Sequence, residues 1–284
     1  MKKIGVICKD AGSAFFLSRI CKKNKSKFKY YLKKPALELF REELGYFKNN
    51  DLKFKYNQFN KIIIGTGKTN YEKFYINQFL EKKKLIVFVD HWINLKKRFT
   101  YKNKLLLPQE VWVADKKTFQ FSKNYFPKNT KIVLLNIKIE NKKKSNGNNF
   151  LYLMGSLNKD KRDNRLTKKI KENEKKSFDN FLKFLKQNNI DEKKISIKIR
   201  THPEEKNKIY IKKKLSKFKN VNFSDLTLVN EIGLANYIFG ANSTAMLIAQ
   251  KLKKKLIICL DKNKQIYNNY KSFKLVKNFN INEN

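Results

Sequence analysis

The sequence predicts an α/β protein built from two Rossmann-like blocks. Three observations predict it. Short, continuous apolar runs recur along the chain, such as Ile4–Cys8, Lys61–Gly65 and Leu85–Val89, and runs of this kind are typical of buried parallel strands. Helical segments alternate with them, and a repeated β-α pattern implies a parallel sheet with right-handed crossovers. The alternation is interrupted once, by the polar run Glu140–Asn149, and starts afresh at Phe150. The expected organisation is therefore a block over 1–140, a linker over 141–149 and a second block over 150–284.

In the first block, Ile4–Cys8 leads into the small-residue turn Asp10-Ala11-Gly12-Ser13 and an apolar helix, Ala14–Cys21, the opening of a nucleotide-binding half. Phe28–Leu32 reads as the second strand, and Pro35 suits the start of a helix to Leu44. Lys61–Gly65 is the third strand, after which Thr69 or Asn70 caps a helix through Leu80. Leu85–Val89 ends at Asp90-His91-Trp92, Val111–Val113 ends at Ala114-Asp115, and Lys131–Leu135 closes the block.

The second block opens with Phe150–Met154, which ends at Gly155-Ser156. Phe178, Phe181, Leu182 and Leu185 share one face of a helix over Ser177–Asn188. Ile195, Ile197 and Ile199 then alternate with Ser196, Lys198 and Arg200, the period of a strand. That strand runs into Thr201-His202-Pro203, and Glu204 and Glu205 favour a helix starting there and reaching Phe218. Val221–Phe223 is a short strand, and Ser224 or Asp225 caps a helix to Ala235. Tyr237–Gly240 is a strand whose turn, Ala241–Thr244, enters the helix Ala245–Leu252, and Leu256–Leu260 is the last strong strand.

The net charge of +42 invites a nucleic-acid reading, but the composition argues against it. Base and phosphate recognition favours arginine forks. Here arginine stands only at 19, 41, 98, 162, 165 and 200, while lysines spread over the whole chain. Such a surface suits anionic partners, including the inner leaflet of a membrane, and no nucleic-acid partner is expected. Cys8, Cys21 and Cys259 are odd in number and far apart, which disfavours a disulfide framework or a zinc site and points to a reducing cytoplasm. The first apolar run ends at Lys9-Asp10, too early for a secretory signal, and no apolar window reaches spanning length.

The sharpest chemical signal lies in the second block. His202 sits at the end of a strand, and Ser243 and Thr244 sit where a later strand turns into a helix. Free amides at a helix start, together with two hydroxyls, make an anion site. A histidine at the neighbouring strand end can donate to the same anion or protonate a phosphate leaving group. Taken singly, Ser243 is an ordinary helix cap and His202 an ordinary turn residue. Arg200 and the Gly155-Ser156 turn are further donor-binding candidates. In the first block Asp10 is the leading candidate for a general base, with Asp90-His91 the second. Gly12, Ser13, Gly65 and Thr66 are candidates on the acceptor side. Gly65-Thr66-Gly67-Lys68-Thr69 lacks the first glycine of a P-loop and reads as a turn before a capped helix. Trp92 could stack on a sugar, whereas Trp112 between valines reads as core.

The pattern Arg200-Thr201-His202-Pro203 followed by Ser243-Thr244 resembles GT-B glycosyltransferases, above all the bacterial sialyltransferase and polysialyltransferase group of capsule and lipopolysaccharide synthesis. Val89–Asn94, Lys97–Phe99 and Leu107–Val113 add to the likeness. The resemblance implies two Rossmann-like domains facing across a cleft, and a nucleotide-sugar donor such as a CMP-sugar held by His202, Ser243 and Thr244. It also implies a glycan acceptor in polysaccharide biosynthesis. The acidic pair before glycine of that group is reduced here to Asp10 alone. No Asp-x-Asp occurs, so a metal-independent mechanism without cofactor is expected. Rival readings are a glycerophosphotransferase, a nucleotide-sugar epimerase-like enzyme and a basic nucleic-acid binder. An epimerase should carry extra carboxylates around the donor site, and the sequence near His202 and Ser243 looks poor in them.

Overall fold

A computed structural model describes residues 3–50, 58–67, 69–82, 84–139, 149–155, 157, 165–188, 195–203, 205, 208–218, 220–241, 243–260 and 273–275. Side chains are described except at 165–170 and 273–275. The expected linker, up to residue 148, lies outside these residues, as does Ser156. The chain divides into two compact units, Met1–Lys138 and Ile139–Asn284.

The N-terminal unit contains β1 (Lys3–Cys8), α1 (Ala11–Lys22), β2 (Phe28–Leu32), α2 (Ala36–Leu44), β3 (Phe59–Gly65), α3 (Asn70–Phe79) and β4 (Leu85–Val89). It continues with α4 (Leu95–Arg98), β5 (Thr100–Tyr101), β6 (Lys104–Leu105), β7 (Glu110–Val113), α5 (Lys116–Tyr125) and β8 (Lys131–Leu134). The main sheet has the order β2-β1-β3-β4-β7-β8, with every pairing parallel. Val6–Cys8, Ile62–Ile64 and all of β4 are buried, as strands covered on both faces must be. The chain leaves β1 to one side for β2 and returns to the other for β3. The lip between β1 and β3 is therefore the topological switch point, where α/β sheets bind ligands.

The C-terminal unit contains β9 (Asn149–Leu153), α6 (Arg165–Gln187), β10 (Ser196–Arg200), α7 (Ile209–Leu215) and β11 (Val221–Phe223). It continues with α8 (Leu228–Leu234), β12 (Tyr237–Gly240), α9 (Thr244–Lys251), β13 (Lys255–Ile258) and β14 (Phe273–Leu275). The order is β11-β10-β9-β12-β13-β14, again parallel throughout. Here the switch point falls at β9, between β10 and β12. Phe178, Phe181, Leu182 and Leu185 of α6 all enter the core, where Phe181 meets Tyr152 and Phe239 at ring-centroid distances of 4.9 Å each. Full burial of such a side chain contributes roughly 1.5–3 kcal/mol. The buried hydroxyl of Tyr152 donates to Ser177 Oγ at 2.8 Å.

The helix expected directly after Pro203 starts later, at Ile209. Glu205 is turned inward instead, its side chain buried and accepting from the Leu157 amide at 2.7 Å. All three cysteines are buried free thiols.

Candidate functional site

Each unit gathers its polar residues at the C-terminal lip of its sheet. In the C-terminal unit, Arg200 and Gly240 are both in register with Leu153. The loops beginning at Met154, Thr201 and Ala241 therefore leave the sheet side by side. They bring Gly155, His202 and Ser243 to one lip. Ser243 caps α9, its Oγ accepting from the Met246 amide at 3.3 Å, and Thr244 opens the helix. The first-turn amides of α9 have no intrahelical acceptor and carry the positive end of the helix dipole. His202 is partly buried, with its carbonyl accepting from the Glu205 amide at 2.8 Å. Arg200 is directed elsewhere: its guanidinium donates to Ser224 Oγ at 3.3 Å and to the Leu226 carbonyl, fastening the loop after β11.

The expectation that this lip is poor in acids is corrected by the structure. Glu174, on α6 and only 5% exposed, accepts from the Gly155 amide at 3.0 Å. Glu205 holds the Leu157 amide of the same loop. Glu205 follows the β10 strand end, whereas Glu174 comes from α6 and only the fold brings it to the lip. Gly155 is required there: a Cβ on it would stand 2.5 Å from Glu174 Cδ.

In the N-terminal unit, Asp10, Glu72, Asp90, His91 and Arg98 meet at the ends of β1, β3 and β4. Asp10 caps α1, its Oδ2 accepting from the Ser13 amide at 3.0 Å. Arg98 is buried and its Nη1 lies 2.5 Å from Asp90 Oδ1 and 3.0 Å from Thr66 Oγ1. Its Nη2 lies 2.6 Å from His91 Nε2. The Ile93 amide donates to His91 Nδ1 at 3.2 Å. A neutral imidazole has one acceptor nitrogen, so it takes a hydrogen bond from Ile93 or from Arg98, not both. A charged ring would set a second cation against the guanidinium. Asp90 and His91 are therefore not a simple base-and-orienter pair: Nε2 is 3.7 Å from Asp90 Oδ2, and the Asp90 charge is engaged by Arg98.

Asp10 carries the titratable character of this lip. Burial pushes its carboxyl up from 3.8 to about 7, and the Asp90 charge adds to that; Arg98 pulls it down, Glu72 raises it and the Ser13 amide lowers it. Ser13 and Thr66 are fully buried. Ser13 Oγ donates to the Thr66 carbonyl at 2.8 Å, and Thr66 Oγ1 donates to the Phe88 carbonyl at 2.9 Å, so these residues build the lip from within. Gly65 closes β3 beneath them, and Gly12 lies partly exposed in the first turn of α1. Trp92 is buried, with the Lys117 ammonium 4.2 Å from its ring centroid, and Trp112 is half-buried, donating from Nε1 to Glu110 Oε1.

Glu72 and Glu174 escaped the sequence, and Arg98 figures as a motif residue only within the Lys97–Phe99 segment of the resemblance, with no role given to it. A signal for Glu72 existed, because Thr69-Asn70-Tyr71-Glu72 has capping-box spacing. That signal points to a helix end and gives no hint of Asp10. Among the described residues there is no cluster of His, Cys, Asp or Glu arranged to hold a metal ion, and no helix long and apolar enough to cross a membrane.

No protein-family model matches the sequence, and no curated protein sequence matches it either. Solved structures do. S. aureus MnaA with UDP is similar over 91% of this chain and 79% of its own, with a TM-score of 0.61 at 13% identity. The UDP-GlcNAc 2-epimerase from Neisseria meningitidis bound to UDP-GlcNAc is similar over 96% of this chain and 87% of its own, with a TM-score of 0.58 at 10% identity. The fold is GT-B-like. This corrects the resemblance to the sialyltransferase group: the fold is shared, but the structures it brings out are of the epimerase kind.

Proposed function

We propose that the chain is an enzyme acting on a nucleotide sugar, with UDP as the nucleotide, and that it rearranges the sugar in the manner of an epimerase. The observation that carries this reading is the C-terminal lip at the β9 switch point, where the Gly155 loop, His202 and the Ser243-Thr244 helix start come together. The first-turn amides of α9, two hydroxyls and an imidazole suit a diphosphate, while the Gly155 and Leu157 amides are engaged by Glu174 and Glu205 and shape the loop beside it. The similar structures, with UDP in one and UDP-GlcNAc in the other, support the choice of nucleotide.

The N-terminal lip supports the reaction type. An epimerisation that runs by proton transfer takes a proton from one face of a sugar carbon and returns one on the other. A carboxyl poised at about 7 is populated in both protonation states at neutral pH and is suited to either step. Asp10 is the residue we assign to it. Asp90 and Arg98 supply the fixed charges around it.

The test is binding followed by turnover. UDP and UDP-GlcNAc should raise the melting temperature, because a ligand at a hundredfold its Kd stabilises by about 2.7 kcal/mol. His202→Ala should weaken that binding by about tenfold or more, the cost of one charge-assisted hydrogen bond. In deuterated water, UDP-GlcNAc incubated with the protein should exchange a ring proton for deuterium as its epimer appears. A shift with CMP and none with UDP, or UDP binding without any exchange, would overturn the proposal.

A further inference from the structure

We propose that Glu72 is the positioning residue of the N-terminal lip: its carboxylate ties the backbone of Lys9 and Asp10 to the first turn of α3, and so fixes where the Asp10 carboxyl stands beside Asp90 and Arg98. The inference rests on the assignment of proton transfer to Asp10.

Glu72 is fully buried, with 0% exposure. Its Oε1 accepts from the amides of both Lys9 and Asp10, at 2.8 and 2.7 Å. Its Oε2 accepts from Thr69 Oγ1 at 2.8 Å. In a capping box the glutamate turns back onto the amide of its own helix cap. Here it reaches across the lip to the loop that follows the neighbouring strand, β1. A buried carboxylate is costly unless hydrogen-bonded, and the two amides of the β1–α1 turn supply the bonds. That turn is where Asp10 begins α1.

The consequence is electrostatic as well as geometric. The groups facing Asp10 are the Ser13 amide from its own helix, Glu72 from α3, and Asp90 and Arg98 from the β4–α4 segment. His91 stands behind Arg98 and Asp90. Cys8, in the preceding strand, is a buried thiol whose own ionisation burial disfavours. Glu72 is thus a second negative charge, beside Asp90, that favours a protonated Asp10. The same side chain aims the acid and helps to keep it loaded.

Two variants separate these roles. Glu72→Gln keeps the reach and an acceptor oxygen but removes the charge. Glu72→Asp keeps the charge but is one methylene too short. Amide hydrogen exchange of Lys9 and Asp10, and the NMR titration of the Asp10 carboxyl assigned with Asp10→Asn, are the readouts. In Glu72→Asp the two amides should exchange about tenfold faster or more, as for the loss of one net hydrogen bond. In Glu72→Gln their protection should persist while the Asp10 midpoint falls toward the ordinary aspartate range. Wild-type exchange in Glu72→Asp, or a wild-type Asp10 midpoint in Glu72→Gln, overturns the proposal. Either variant suffices if the other does not fold. Neither readout depends on turnover, so these shifts in a protein that converts no UDP-sugar would retain Glu72's role and reject the function. The reverse result would do the opposite.

Discussion

At the residue scale, Asp10 gives the molecule a pH signature. Its folded value of about 7 stands above the ordinary 3.8. Between those values the unfolded chain has released a proton that the folded chain keeps, so the contribution of Asp10 to stability falls as pH rises through that window. Above it the buried charge is fully present. Asp10→Asn, which keeps a competent helix cap, should therefore gain stability over wild type near pH 8 and gain less near pH 5; chemical denaturation at the two pH values checks this. An equal gain at both would mean that Asp10 titrates normally. Asp10, His202 and Ser243 were legible in the sequence because each follows a strand end, and strand ends are readable. Glu72 and Glu174 were not, because each lies on a helix and finds its partner across the fold; Arg98 was not, because its contacts with Asp90 and His91 depend on how the short segment after β4 turns back. Arg200 was legible as a residue but not as a contact: strand alternation gives a face, and the loop it clamps is set by tertiary structure.

At the element scale, the strands were the most readable parts. Phe28–Leu32, Leu85–Val89, Val221–Phe223 and Tyr237–Gly240 fall where the apolar runs place them. What escaped was short or weakly patterned. The β5–β6 hairpin has two residues per strand, and its turn puts Lys102 and Asn103 at φ values of 47° and 62°. Asparagine tolerates that conformation, but a single Asn among lysines is a faint signal. The four-residue α4, which carries Arg98 into the site, is too short to show a period. The lip also depends on how closely β12 approaches β9. A Cβ on Gly240 would stand 2.8 Å from the Leu153 carbonyl oxygen, a backbone atom that cannot turn aside. Gly240→Ala should destabilise the protein by about 1–3 kcal/mol, the range for overpacking, as read from the denaturation midpoint. An unchanged midpoint would show that the two strands have slack at the lip.

At the scale of the whole molecule, the fold class was legible from the β-α repetition, because each unit is an ordinary parallel sheet with its own core. The chemistry was less legible, because one fold serves several reactions. The charge of +42 belongs to this scale too. Self-repulsion of such a surface opposes compaction and is screened by salt. The melting temperature should rise between about 20 mM and 500 mM sodium chloride, where the Debye length falls from tens of ångströms to a few; a falling melting temperature would assign the charges to stabilising pairs instead. The strand order has a last consequence, in the making of the protein. In each sheet the first described strand of the unit is an interior one: β1 lies between β2 and β3, and β9 lies between β10 and β12. For β9 the second neighbour is far off in sequence, since Phe150 pairs with Tyr237. Until β12 leaves the ribosome, this apolar strand has one unpaired edge, open to any other nascent chain. The C-terminal lip is therefore among the last parts of its unit to be completed, and a chain interrupted before Tyr237 should aggregate rather than accumulate as a folded fragment.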